Sequence, residues 1–148
     1  MTGTAALSLV SSGEEETAAA GSRLAGTLGP GAVVLLYGQL GAGKTAFVRG
    51  LARGVGAAPE DVSSPTFTLI QEYRGDRATL FHVDLYRLEP REVDDLGLEE
   101  LIAGDGIVAI EWAERWRARP DDAVEVWIED RGGDRREISV RNAPPAST

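Results

Sequence analysis

Residues 32–45 read Ala32-Val33-Val34-Leu35-Leu36-Tyr37-Gly38-Gln39-Leu40-Gly41-Ala42-Gly43-Lys44-Thr45. The unbroken apolar run from Ala32 to Tyr37 predicts a strand covered on both faces, as in a parallel sheet. The glycines after it predict a turn. A helix is expected from about Lys44 to Val55, with Gly54 and Gly56 bracketing its end. Gly38 to Thr45 also satisfies G-x-x-x-x-G-K-[ST], the pattern of a phosphate-binding loop. The residue types follow from the chemistry. Gly41 and Gly43 let the backbone around Ala42 fold into a nest of N–H groups aimed at phosphate oxygens. The following helix presents its positive end, at Lys44, Thr45 and Ala46, to the same anion. Lys44 offers a point charge to the outer phosphates and Thr45 a hydroxyl to Mg²⁺. Of the 15 basic residues Lys44 is the only lysine, and arginine's planar fork suits that cradle poorly.

Outward from this stretch, apolar runs and turn signals alternate. Ala5 to Val10 predicts a short strand. Ser12 and Glu15 have the spacing of a capping box, and Glu14, Glu15 and Glu16 favour a helix start; that helix should run to about Leu28 and stop at Gly29-Pro30-Gly31. Phe67 to Tyr73 and Thr79 to Leu85 alternate around Arg74-Gly75-Asp76-Arg77, a hairpin signal. Pro90 suits the first turn of a short helix to Leu96, and Leu98 to Ala103 reads as another. Gly106 to Glu111 is a second buried-type strand. Val124 to Ile128 and Glu137 to Val140 flank Gly132-Gly133 as a second hairpin. The class expected is α/β, similar to P-loop NTPases: a mostly parallel central sheet flanked by helices, with antiparallel hairpin additions. Residues 1–141 make a single domain in this reading, and Asn142 to Thr148 a frayed, disordered tail.

Composition removes several classes. The 148 residues are 43% hydrophobic and 26% charged, ordinary for one globular domain with its own core. Without cysteine there is no disulfide framework, thiolate metal site or cysteine nucleophile. One histidine, His82, cannot make a multi-histidine metal site. A net charge of −9, with the arginines scattered, argues against nucleic acid and anionic membranes as direct partners. No apolar run approaches the ~20 residues of a membrane span. Met1 to Val10 lacks the basic start of a secretory signal, so the cytoplasm is the expected compartment.

A phosphate loop needs a second, acidic Mg²⁺ contact from a neighbouring strand end. Glu111 follows Ile107-Val108-Ala109-Ile110 as such an acid should, and Asp84 ends the other candidate strand. Trp112, next to Glu111, is either core or a neighbour of the nucleotide. Ser63-Ser64-Pro65-Thr66 reads as an ordinary turn, although a threonine-bearing loop after the first helix can sense the γ-phosphate. His82 alternates with apolar residues, which fits a buried structural histidine as well as a catalytic one. Arg74-Gly75-Asp76 matches an adhesion tripeptide but falls in a hairpin turn.

Taken in order, Gly38 to Thr45 (GQLGAGKT), Ser64 to Leu69 (SPTFTL) with Glu72-Tyr73, His82 to Leu88 (HVDLYRL) and Ile110-Glu111-Trp112 (IEW) resemble the bacterial TsaE (YjeE) family. These are small P-loop ATPases of tRNA threonylcarbamoyladenosine biosynthesis, and the resemblance spans about Ser12 to Val140. It implies ATP and Mg²⁺ as cofactors and hydrolysis in support of the enzyme that transfers a threonylcarbamoyl group to adenosine 37 of ANN-decoding tRNAs. TsaD and TsaB would be the partners, TsaC would act upstream, and tRNA would be met only indirectly. Residue by residue, it implies Lys44 and Thr45 on phosphate and metal, and Glu111 as the second metal contact. Asp84 would be needed for hydrolysis, with Trp112 beside the site and Glu14 and Arg136 bordering the adenine. Ser64 and Thr66 fall in the family's switch-like loop. Gln39 stands where the family usually has Asp, and Ala46 where it has Thr. Position 39 is an x of the motif, so phosphate binding survives that change, with partner contacts or local charge open to alteration; Ala46 removes a second hydroxyl, so Thr45 alone must serve the metal. Two alternatives share the phosphate loop. A small-molecule kinase needs an arginine-bearing lid, which the acidic Glu89–Glu100 stretch does not resemble. A nucleotide-binding adaptor would bind without useful hydrolysis.

Overall fold

The structure, a computed structural model, describes residues 5–39, 43–58 and 70–143. Its strands are β1 (Ala5–Ser11), β2 (Val33–Tyr37), β3 (Ile70–Arg74), β4 (Thr79–Asp84), β5 (Ile107–Glu111), β6 (Val124–Asp130) and β7 (Arg136–Ala143). Its helices are α1 (Glu14–Ala25), α2 (Lys44–Gly54), α3 (Pro90–Asp94) and α4 (Leu98–Ile102), with a 3₁₀ turn at Ala113–Arg115. All seven strands join one sheet in the order β1-β7-β6-β2-β5-β4-β3. The four central strands, β6, β2, β5 and β4, are parallel. β3 on one side, and β7 and β1 on the other, are antiparallel. The expected α/β architecture with hairpin additions is therefore the one found. Among the described residues no helix is long and apolar enough to cross a membrane.

Two apolar layers explain why β2 and β5 are apolar throughout. Alternate residues Val34, Leu36, Ile107 and Ala109 meet Leu24 of α1 and Phe47, Val48 and Leu51 of α2. Their neighbours Val33, Leu35, Val108 and Ile110 point the other way, against Val93 of α3, Leu98 of α4 and Trp116. A strand buried on both faces has no polar alternation to show. α1 and α2 lie on one face and touch closely because glycine sits at the crossing. A Cβ on Gly50 would lie 1.8 Å from the Ala18 carbonyl oxygen, and one on Gly21 2.3 Å from that of Phe47.

Several boundaries differ from the sequence reading. α1 is not capped by a Ser12–Glu15 box. The Ser12 N–H donates to Glu16 Oε1 at 2.8 Å, while the Ser11 hydroxyl bonds the Gly13 carbonyl and shares a 2.7 Å contact with the Thr17 hydroxyl. Three neighbouring hydroxyl residues compete for this helix end, and spacing alone does not choose among them. The α-helix stops at Ala25, and tighter i→i+3 bonds carry the chain on to Leu28. β7 extends through Asn142 and Ala143, which the sequence assigns to the tail. Ala143 is buried and pairs with Ala5, and the Asn142 amide donates to the Ala123 carbonyl at 3.1 Å. Residues 144–148, and Phe67 to Leu69 of the first hairpin, lie outside the described residues.

The helix crossing yields a stability prediction. Gly50→Ala gains up to ~1 kcal/mol of helix propensity. Its methyl would nevertheless overlap a backbone carbonyl that no side-chain rotation can relieve, and overpacking of this kind costs ~1–3 kcal/mol or more. The variant should lose ~1–2 kcal/mol net in urea denaturation; unchanged or raised stability would contradict the close crossing.

Candidate active site at the end of the parallel strands

β2 ends at Tyr37 and the chain enters α2 through Gly43, whose φ of 107° and ψ of 13° suit glycine. No side chain caps α2, and its first turn carries no acid. The helical ladder begins with the Phe47 N–H on the Gly43 carbonyl at 3.0 Å, so the earlier N–H groups emerge at the helix end, a natural anion site. Lys44 is only 4% exposed. Its ammonium donates to the Gly38 carbonyl at 2.7 Å and lies 4.0 Å from the centroid of the Trp112 ring. Burial lowers the Lys44 pKa, and the negative charges of Glu111, Asp84 and Glu114 oppose that shift.

The acids come from the two strands beyond β2. In the parallel pairing of β4 with β5, Asp84 is directly opposite Glu111, and Glu111 is also the register partner of Leu36 on β2. Both strand ends therefore meet the start of α2. Burial raises the Asp84 pKa and Glu111 adds to it, against the Tyr86 N–H donated to Asp84 Oδ1 at 3.0 Å and the Lys44 charge. Glu111 is buried and lies 2.5 Å, Oε2 to Nε2, from His82, which has no exposed surface. His82 is thus buried, but paired to a site acid rather than packed as plain core.

Trp112 ends β5 in the left-handed region, with φ 58° and ψ 43°, a conformation costing ~1–3 kcal/mol for a bulky residue. The turn lays its ring between Lys44 and the guanidinium of Arg115, 5.7 Å from the ring centroid, and against Tyr86 at 5.0 Å. Arg115 also donates to the Leu88 carbonyl at 2.7 Å. Sequence reasoning did not single out Tyr86 or Arg115. Tyr86 lies inside the HVDLYRL stretch and was available as a signal; Arg115 was lost among scattered arginines.

Glu14, Gly43, Ala46 and Arg136 come together around a cavity of about 380 Å³, joined by Gly13, Thr17 and Asp134. Arg136 lies close enough that a Cβ on Gly43 would be 3.9 Å from its Nε, and it pairs with Asp130 at 3.3 Å. The fold thus brings Arg136, expected beside the adenine, next to Gly43. Trp112 lines a different and larger cavity, about 700 Å³, with Gly38, Gln39, Tyr37 and Trp127. The larger space is not the one that gathers the expected adenine-side residues. Leu40, Gly41, Ala42 and the Ser63–Thr66 turn lie outside the described residues.

This donor set fits a magnesium-bound polyphosphate. An uncapped helix end and a buried lysine suit the phosphates. Glu111, Asp84 and the Thr45 hydroxyl are hard oxygen donors of the kind Mg²⁺ takes. Among the described residues no three His, Cys, Asp or Glu side chains form a metal site unaided.

Comparison with known proteins gives a consistent result. Residues 11–138 match the family model described as Threonylcarbamoyl adenosine biosynthesis protein TsaE. The tRNA threonylcarbamoyladenosine biosynthesis protein TsaE of Nostoc sp. is 47% identical over 135 residues, covering 87% of this chain and 83% of that protein. The Bacillus subtilis protein of the same name is 43% identical over 126 residues, covering 84% and 78%. The crystal structure of Bacillus subtilis YdiB superposes with a TM-score of 0.75 at 33% identity, over 95% of this chain and 87% of that one. With its model matched along most of its length and its fold shared, the chain belongs to the TsaE family.

Proposed function

We propose that this protein is a cytoplasmic, Mg²⁺-dependent ATPase that supports formation of the N6-threonylcarbamoyl group on adenosine 37 of ANN-decoding tRNAs. It hydrolyses ATP while docked on the TsaD–TsaB transferase, downstream of TsaC, and does not transfer the group itself. The observation that carries this reading is one juxtaposition: buried Lys44 at the start of α2 faces Glu111 and Asp84 at the ends of adjacent parallel strands. The names of the relatives supply the pathway; the juxtaposition supports the chemistry.

Each group has a role in that chemistry. The first turn of α2 binds and orients the phosphates through backbone N–H groups, and Lys44 neutralises charge on the outer ones. Thr45 and Glu111 would hold Mg²⁺, which supplies charge neutralisation on the phosphate oxygens when bound. Asp84, next to Glu111 and with its proton affinity raised by burial, is placed to orient water by hydrogen bonding. Glu14, Ala46 and Arg136 border the cavity that would take the adenine. A kinase reading gains nothing here: α3 and α4 together carry one arginine, Arg91, which is exposed.

Lys44→Ala should keep its circular dichroism spectrum, lose at least ~10-fold in ATP affinity, or ~1.4 kcal/mol, and lose hydrolysis. Glu111→Ala should keep most of the metal-free ATP affinity and lose ~10²-fold or more in Mg²⁺-dependent turnover. Parent-like turnover in Glu111→Ala would make it a bystander and leave Asp84 as the leading acid.

Trp112 should report nucleotide, because Lys44 must shift its charge from the ring toward phosphate. Intrinsic fluorescence should change on adding ATP, and that change should disappear in Trp112→Phe, with Trp116 and Trp127 as background. A signal that persists in full in Trp112→Phe removes the assignment.

Alone, the protein should turn over slowly. Arg115 is tied to the Leu88 carbonyl and Arg136 to Asp130, whereas a cation supplied in trans can be worth ~10³–10⁵ in rate. Phosphate release should rise on adding purified TsaD–TsaB, and by linkage that pair should tighten ATP binding. Equal rates with and without the pair, together with docking that ignores nucleotide, would leave an autonomous enzyme or an adaptor.

A further inference from the structure

The contact between His82 and Glu111 is an enclosed polar interaction at the candidate site. His82 has no exposed surface and Glu111 5%, and Nε2 and Oε2 are 2.5 Å apart. The other ring nitrogen, Nδ1, is buried with no hydrogen-bond partner among the described residues. That asymmetry selects the tautomer. If Nδ1 carried the hydrogen, a buried N–H would lack an acceptor, and the Nε2 lone pair would face a carboxylate oxygen. With the hydrogen on Nε2, the donor is satisfied, and only an acceptor is left without a partner, the better tolerated of the two defects.

The fold explains why these side chains meet. His82 pairs in register with Ala109, two residues before Glu111 on the same face of β5. Ala109 is small, so the ring has room to reach the next same-face position. That face carries Leu80, Ile107 and Ala109 into the layer beneath α2. His82 therefore sits one layer below Glu111 and Asp84, between the apolar core and the start of α2.

We propose that His82 is a positioning residue: its Nε2–H holds Glu111 Oε2, fixing the carboxylate and leaving its other oxygen for the Mg²⁺ that Glu111 and Thr45 would hold. A metal-binding carboxylate steadied by a buried donor is a familiar need, and loss of such a partner typically costs ~10–100-fold in metal affinity. His82 touches neither nucleotide nor metal in this role. The inference rests on the reading of Glu111 as the metal carboxylate.

The test uses the full chain and probes other than turnover. Because His82 is the single histidine, ¹⁵N spectra of the ring need no assignment. They should show hydrogen on Nε2, and the Nε2–H signal should move when Mg²⁺ is added to protein loaded with ATP in EDTA. His82→Leu should keep its ATP affinity in EDTA within about twofold of the parent but need ~10-fold more Mg²⁺ for the fluorescence response. His82→Gln, which can still donate to Glu111, should recover most of that loss. A bare Nε2, with hydrogen on Nδ1 alone, overturns the proposal, as does a folded His82→Leu with the parent's Mg²⁺ requirement. Should His82→Leu not fold, the parent spectra decide: an Nε2–H signal that ignores Mg²⁺ while Trp112 responds also overturns it. A parent protein in which neither probe responds to Mg²⁺ sinks the metal-dependent reading itself, and the inference with it.

Discussion

The parallel register of β4, β5 and β2 is the constraint on which the rest depends. It sets Asp84 beside Glu111 and Glu111 beside Leu36, one residue before Tyr37 ends β2. Side chains alternate along a strand, so a slip of one residue would turn Glu111 and His82 toward the opposite layer and bring core side chains to the site. Two apolar layers make that slip expensive, because each strand in the trio buries side chains on both faces. The packing that stabilises the sheet is thus also what aims the acids. Crevices at the carboxyl ends of parallel strands are where open α/β sheets hold ligands, and the start of α2 lies at that end.

The same place concentrates groups that a stable core would avoid. Lys44, Glu111 and His82 are buried, and Asp84 is half-buried. Burial opposes the charge on Lys44 and on Asp84, and their mutual attraction recovers part of that cost. Trp112 is held in a left-handed backbone conformation. Strain and buried charge are gathered within a few residues, in a domain otherwise cleanly layered, and on that concentration the candidate site rests. A polyanion arriving at the start of α2 would meet Lys44 already dehydrated, so the protein has done part of the desolvation in folding.

Much of this was legible in the chain. Ala32 to Tyr37 and Ile107 to Glu111 identified the central strands because two-sided burial leaves an unbroken apolar run. The same runs ended at the loop and at Glu111, so the strand-end placement of the site followed with them. Helix ends were less legible: Ser11, Ser12 and Thr17 compete for one terminus, and only packing chooses among them. The His82–Glu111 pair was not legible at all, since the residues lie 29 apart and meet only through strand register. Arg115 beside Trp112 was hidden for the same reason. Ala143 looked like tail by composition, yet its pairing with Ala5 makes it sheet.

The central claim is that the start of α2 and the ends of β4 and β5 together hold a magnesium-bound adenine nucleotide. A crystal structure of the protein with Mg²⁺ and a non-hydrolysable ATP analogue tests it most directly. The account predicts the β- and γ-phosphates over the first turn of α2 within reach of Lys44 Nζ. It predicts the metal between Thr45 Oγ1 and a Glu111 oxygen, and the adenine in the cavity bordered by Glu14 and Arg136. Phosphates bound elsewhere, or a metal with Glu111 outside its coordination shell, would contradict it.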